Sequence, residues 1–146
     1  MSQEHLIRAV LDTNVLVAAF RSNRGASFEV YRLLKLGFWR CLLSNHLLLE
    51  YEEQLIAQAG ALGLLPAEVD ELLNMVCDRG EQFSLRYDWL PVLATDPDDE
   101  PLVQLAHESG SRLIVTHNIR HLAPAKKLGI TVLRPSEFLA KIRLSL

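Results

Sequence analysis

Residues 8–17 read RAVLDTNVLV, an apolar run interrupted by the polar triplet Asp12, Thr13 and Asn14. The run before the triplet, within HLIRAVLD, is short, rich in branched side chains and ends at a carboxylate, which is the pattern of a buried strand. The fold follows from what repeats after it. ASFEVYRLLKLG sets Phe28, Tyr31, Leu33 and Leu34 at helical spacing and stops at Gly37, and FWRCLLS is a short apolar strand ending at Ser44. SNHLLLEYEEQLIAQAG is a helix capped by Ser44 or Asn45, with Leu47, Leu48, Tyr51, Leu55 and Ile56 as its apolar face. LPAEVDELLNMVCDRG is another, with Pro66 in its first turn and Gly80 beyond its end. FSLRYDWLPV is strand-like and leads into the turn TDPDDEP. LVQLAHESG is helical, RLIVTHN a strand, HLAPAKKLG a short helix or loop, ITVLRP a strand and SEFLAKIRLSL an amphipathic helix. Strand followed by helix, repeated, predicts a three-layer α/β/α sandwich with a mostly parallel central sheet, as one domain over residues 1–146.

Composition narrows the function classes. With 146 residues, 49% hydrophobic and 23% charged, the chain is sized for one soluble domain with a proper core. It carries no apolar stretch of membrane-spanning length, and MSQEHLIRAV lacks the basic start and small-residue cleavage site of a secretory leader, so a cytoplasmic protein is expected. Cys41 and Cys77 stand far apart with no metal-binding spacing and are expected to be reduced, buried thiols. A net charge of −3 argues against a generic polyanion binder. The distribution is uneven, however: residues 1–111 hold 8 Lys/Arg against 17 Asp/Glu, whereas residues 112–146 hold 7 against Glu137 alone. A basic last quarter suits either a phosphate-facing surface or a solvated terminal helix.

In open α/β sheets ligands bind beyond the carboxyl ends of the strands. The first strand delivers Asp12 to that edge, RLIVTHN delivers Thr116, His117 and Asn118, and DPDDE supplies Asp96, Asp98, Asp99 and Glu100 at the start of a helix. Glu50 lies about one and a half turns into its own helix, although spacing alone does not choose among Glu50, Glu52 and Glu53. Carboxylates gathered in a poorly solvated place repel unless a cation compensates them, and Mg²⁺ or Mn²⁺ with its all-oxygen preference is the economical answer. The chemistry such a site supports is metal-assisted phosphodiester hydrolysis. Asp98, Asp99 and Glu100 also have a simpler use, as negative charge at a helix N-terminus. Thr13 and Asn14 can cap the following segment or orient Asp12, with capping expected of Thr13.

These motifs, in this order, resemble the PIN-domain family of metal-dependent ribonucleases, and more narrowly the bacterial PIN proteins described as toxin components of toxin-antitoxin pairs. VLDTNVLV is similar to the family's first motif, which implies Asp12 as a metal carboxylate and Asn14 as its hydrogen-bonding neighbour. SNHLLLEYEEQL is similar to the second and selects Glu50, and DPDDEPLVQLAHESGSRLIVTHN is similar to the third and fourth, selecting Asp99 with Asp96 as an extra acid. The resemblance implies a PIN-like fold, an endoribonuclease, Mg²⁺ or Mn²⁺, an RNA substrate, an antitoxin protein as partner and a homodimer. Asn118 stands where most of the family has aspartate, and the acid that some Asn-bearing relatives carry three residues later is His121 here. That implies at most one firmly held ion, with weakened activity or a need for Mn²⁺.

The remaining site expectations concern substrate. Asn118 and Thr116 are expected to orient water or phosphate, and Arg21, Arg24 and Arg120, with Lys126 and Lys127, to contact the nucleic-acid backbone. His117 and His121 can donate to phosphate or ligate metal, though a lone histidine usually does neither. Two phosphotransfer folds are excluded by residue type. One needs a second aspartate where Asn14 stands, and the other needs a lysine where ITVLRP has only Arg134. The serious rival is a PIN-fold module that binds RNA or protein without cutting.

Overall fold

The computed structural model describes residues 6–93 and 97–146. Five strands form one sheet: β1 (Ile7–Leu11), β2 (Trp39–Leu43), β3 (Glu81–Gln82), β4 (Leu113–Val115) and β5 (Thr131–Leu133). Their order is β3-β2-β1-β4-β5 and every pairing is parallel, with Ala9 beside Cys41, Leu11 beside Val115 and Val115 beside Leu133. Among the described residues, seven helices connect and flank them: α1 (Thr13–Ala19), α2 (Ala26–Lys35), α3 (Asn45–Leu62), α4 (Pro66–Arg79), α5 (Glu100–Glu108), α6 (Ile119–Leu122) and α7 (Pro135–Ser145). A 3-10 turn over Ala123–Leu128 follows α6. The α/β class and the parallel sheet are as the strand-helix alternation predicts. No helix among the described residues is long and apolar enough to cross a membrane.

Local chemistry accounts for the element boundaries. The α2 helix ends in a Schellman turn: Gly37, at φ +83°, donates to the Leu34 carbonyl at 3.0 Å and Phe38 to that of Leu33 at 2.9 Å. Ser44 caps α3, its hydroxyl accepting the Leu47 N–H at 3.2 Å. Gly80 closes α4 where a side chain has no room, since an added Cβ would fall 2.7 Å from Leu43 Cδ1 and 2.9 Å from Cys41 Sγ. The buried side chains of β1, β2 and β4 join those of the helices in one hydrophobic cluster, in which Trp39 and Phe138 meet edge to face at 4.9 Å.

The structure adds one helix and corrects three local expectations. The α1 helix carries no helical signature in sequence, yet Thr13–Ala19 turns back at once from β1 and buries Val15, Leu16, Val17 and Ala19. The stretch FSLRYDWLPV is not a strand; β3 comprises only Glu81 and Gln82 before it, because β2 ends at Leu43 and the Phe83 N–H to the Leu43 carbonyl is the last bond available. Ile56 is exposed rather than on the apolar face of α3, since Leu47, Tyr51 and Leu55 set the buried stripe. Cys41 is buried as expected, but Cys77 is exposed on α4.

Candidate active site

The sheet changes winding direction at β1, which has β2 on one side and β4 on the other, so the chain leaves these strands around an open crevice. Asp12 follows β1 directly, and its backbone N–H bonds the last carbonyl of β4, that of Val115, at 2.9 Å. The β4 strand then supplies Thr116, wholly buried, whose hydroxyl donates to Asp12 Oδ2 at 2.7 Å. The Asn118 backbone N–H donates to the same hydroxyl oxygen at 2.9 Å. A hydroxyl has one proton; accepting from Asn118 leaves it to point at Asp12.

Glu50 reaches the crevice through helix periodicity. On α3 the buried stripe is Leu47, Tyr51 and Leu55, and the neighbouring stripe is Glu50, Gln54 and Gln58, which lies along the crevice. The Tyr51 hydroxyl donates to the carbonyl of Leu11. One hydrogen bond thus joins the residue after Glu50 to the residue before Asp12. Burial holds the Tyr51 phenol well above its ordinary pKa, so it remains a donor.

The resulting cleft, about 270 Å³, is lined by Asp12, Glu50 and Asp99 together with Asn14, Arg21, Gln54, Gln58 and Asn118. Burial raises the Asp12 carboxyl above its usual range; the Thr116 hydrogen bond opposes that, and the Glu50 charge adds to it. Among the described residues, the cation on the lining is Arg21, and its Nη2 donates to Gln58 Oε1 at 2.6 Å. Gln58 in turn donates to Gln54 Oε1 at 3.2 Å, so a guanidinium-amide ladder runs along the wall beyond Glu50. Gln54 and Gln58 were not foreseen, although their spacing of four and eight from Glu50 inside a helix would signal them.

Other expected residues fall elsewhere or take other parts. Asn14 lines the cleft; its side-chain Oδ1 accepts the His117 N–H at 3.3 Å, while hydrogen bonding from the Asn14 backbone, as from that of Thr13, favours the charged Asp12 carboxylate. The Thr13 hydroxyl caps nothing; it is buried without a partner. His117 faces Ser27, its Nε2 3.1 Å from the Ser27 hydroxyl at the head of α2. Arg24 and Arg120 are exposed and outside the cleft lining. Asp96 lies outside the described residues. Glu100 is buried and serves structure: it accepts from Trp89 Nε1 at 2.8 Å, from the Val92 N–H at 2.6 Å and from the Leu93 N–H, clasping the preceding segment to α5.

Among the described residues, no group of three Asp, Glu, His or Cys side chains is already drawn to ligating distance. The donor chemistry nevertheless fits a hard divalent cation. Carboxylates from Asp12, Glu50 and Asp99 and the amide oxygen of Asn118 make an all-oxygen set, and the buried Asp12 anion faces Glu50 with the nearby guanidinium turned to an amide. No curated protein and no solved structure matches the chain. A profile of the PIN domain family does, over residues 8–120, a span that contains every element bringing Asp12, Glu50 and Asp99 to the cleft. On the strength of that match and of the parallel five-strand sheet, the chain belongs to the PIN domain family, whose members are metal-dependent nucleases.

Proposed function

We propose that this protein is an endoribonuclease dependent on Mg²⁺ or Mn²⁺ and that it acts as the toxin of a toxin-antitoxin pair. The observation that carries the nuclease reading is the convergence of Asp12, Glu50 and Asp99 on one cleft, with Asp12 aimed by Thr116. In this reading those carboxylates hold the ion, and Asp96, three residues before Asp99 in the sequence, is a fourth acid. When bound, the ion supplies a lowered pKa for the attacking water and positive charge against the leaving 3′ oxygen. The chain's own residues supply the rest. Thr116 keeps the Asp12 carboxylate in one orientation, and Tyr51 keeps α3, and so Glu50, at a set distance from it. Arg21, braced by Gln58, would contact the nucleic-acid backbone, and the Asn118 amide would orient water or a phosphate oxygen, a reading supported by both residues lining the cleft. The toxin assignment, with an antitoxin partner, a homodimer and a cytoplasmic site of action, is supported by the likeness of the four motifs.

The test is cleavage of labelled single-stranded RNA by the purified protein with Mg²⁺, Mn²⁺ or chelator, beside Asp12→Asn. Cleavage that requires metal and is lost in the variant is expected. Intact RNA with folded protein would instead favour a module that binds RNA or protein without cutting, a reading that Asn118 supports by offering a neutral amide in place of an acid.

A further inference from the structure

The cleft sets three carboxylates, those of Asp12, Glu50 and Asp99, against one lining cation among the described residues, Arg21. An RNA strand is itself a polyanion, so what the neutral side chains of the lining offer decides how it can lie there. A carboxamide can turn either its oxygen or its NH2 toward a ligand, and its neighbours make the choice.

On α3 that choice is made by Arg21. A guanidinium only donates, so the Gln58 atom that meets Arg21 Nη2 at 2.6 Å has to be its oxygen. The Gln58 nitrogen is then the atom turned to Gln54, at 3.2 Å, and the Gln54 atom that receives it has to be an oxygen as well. Donor and acceptor alternate from Arg21 inward, and the ladder ends on the Gln54 NH2, which has no acceptor among the described residues. Reversing the order sets an NH2 against the guanidinium. Asn14 is fixed by the same rule: the backbone N–H of His117 can only donate, so Asn14 Oδ1 faces it and the Asn14 NH2 is left over. Both residues line the cleft, with their oxygens committed to neighbours and their N–H groups to spare. Gln54 lies one turn of α3, ~6 Å, beyond Glu50, and Gln58 with Arg21 bonded to it lies a second turn on. Outward from the acids, the wall offers amide N–H and then guanidinium N–H. A non-bridging phosphate oxygen only accepts, whereas a base edge or a ribose hydroxyl brings donors too.

We propose that Gln54 is a substrate-binding residue whose NH2, held in that orientation by Arg21 through Gln58, donates to a non-bridging oxygen of a phosphate flanking the one that is cut. The proposal rests on the ribonuclease reading and deepens it. Arg21 acts on the strand twice, through its own remaining N–H groups and by fixing the polarity of an amide one residue removed from it along the ladder.

The test uses a short labelled single-stranded RNA whose cut bond has first been mapped with the full-length wild-type protein and Mn²⁺. KM and kcat are then measured for wild type, for Gln54→Met, which keeps the length and loses the amide, and for Gln54→Lys, which restores N–H donors. Each is tried on that strand and on strands carrying one uncharged methylphosphonate at each linkage flanking the cut in turn. Gln54 is exposed, so neither change disturbs the packing of α3. The expected result is a KM about tenfold higher for Gln54→Met with kcat little changed, and recovery in Gln54→Lys. At one flanking linkage the methylphosphonate should raise KM for wild type and leave that of Gln54→Met where it was. Equal KM for wild type and Gln54→Met on RNA that is cut overturns the Gln54 proposal and leaves the nuclease reading standing. So does a penalty for Gln54→Met that persists undiminished on every methylphosphonate strand, since its partner is then no phosphate. RNA that stays whole with folded protein overturns both.

Discussion

Tyr51→Phe removes one oxygen atom and tests how the two acids are kept in place. Tyr51 is wholly buried, and its hydroxyl is bonded to the carbonyl of Leu11, itself 2% exposed. Without the hydroxyl that carbonyl loses its partner in a place water does not reach, which costs about 1–3 kcal/mol. For a chain of 146 residues a loss of ~2 kcal/mol lowers Tm by roughly 6–8 °C. The same bond spans the residues adjoining Asp12 and Glu50, so its loss also lets α3 shift against the end of β1. We expect Mn²⁺ affinity, measured by calorimetry, to fall about tenfold, as when a ligand's supporting partner is removed. The control is Leu72→Ala on α4, a buried truncation that costs about 2–5 kcal/mol and touches neither acid. If Tyr51→Phe melts with wild type, the bond contributes nothing net; if it melts lower but binds Mn²⁺ as Leu72→Ala does, the positioning argument is wrong.

Asp12→Asn should stabilise the protein in chelator. Because burial raises the folded carboxyl above its unfolded value of about 3.8, the favourable contribution of the protonated acid is complete below that value and is lost as pH rises through the folded one. Melting curves from pH 3 to 8 should therefore decline more steeply for wild type than for the variant, and added Mn²⁺ should raise Tm for wild type alone. Glu100→Ala strands the donors of Trp89, Val92 and Leu93 and should cost about 2–4 kcal/mol in urea unfolding, with a red-shifted Trp89 emission; Glu100→Gln, which keeps an acceptor, should lose less than half of that. Ellman's reagent should titrate one thiol in the native protein and two in denaturant, since Cys77 is exposed while burial pushes the Cys41 thiol up to about 12. Gln58→Leu, which releases Arg21, should raise KM for RNA several-fold with kcat little changed; a fall in kcat alone would count against a binding role for Arg21.

The parts of the fold that can be read directly are those where one face meets one environment. The three inner strands, and helices such as α2 and α4 with an apolar stripe and a recognisable stop, show their periodicity without help from the rest of the chain. The α1 helix does not. Its Val15 and Val17 favour a strand locally, it is only 7 residues long, and packing rather than propensity makes it helical. FSLR misleads for a different reason. Phe83 and Leu85 do turn inward while Ser84 and Arg86 turn out, as in a strand, but β2 has ended and nothing remains to pair with. The site divides the same way. Asp12 is visible because a carboxylate closing a core strand needs a reason, and Glu50 follows once the buried stripe of α3 is known. The bond from Tyr51 to Leu11 and the clasp of Glu100 on Trp89 have no local signature, since each depends on which segments the fold brings side by side.

Asn118 illustrates how a departure in sequence can leave a site's geometry untouched. The residue lies at the position where the likeness to the family leads one to expect an aspartate, and its side chain lines the cleft. Its part in aiming Asp12 runs through the backbone instead: the N–H of residue 118 occupies an acceptor site on the Thr116 hydroxyl, and the hydroxyl proton is left for Asp12. Any residue other than proline at 118 can do this. Exchanging an acid for an amide there therefore removes one negative charge from the cleft without releasing Asp12. The consequence belongs to how strongly a cation is held, not to whether the remaining carboxylates face one another. Asp12 stays 5% exposed, raised in pKa by burial and by Glu50, in a wall whose guanidinium is committed to Gln58. An anion kept that way is costly unless something positive arrives, and a fold that had given up metal chemistry would gain stability by replacing it.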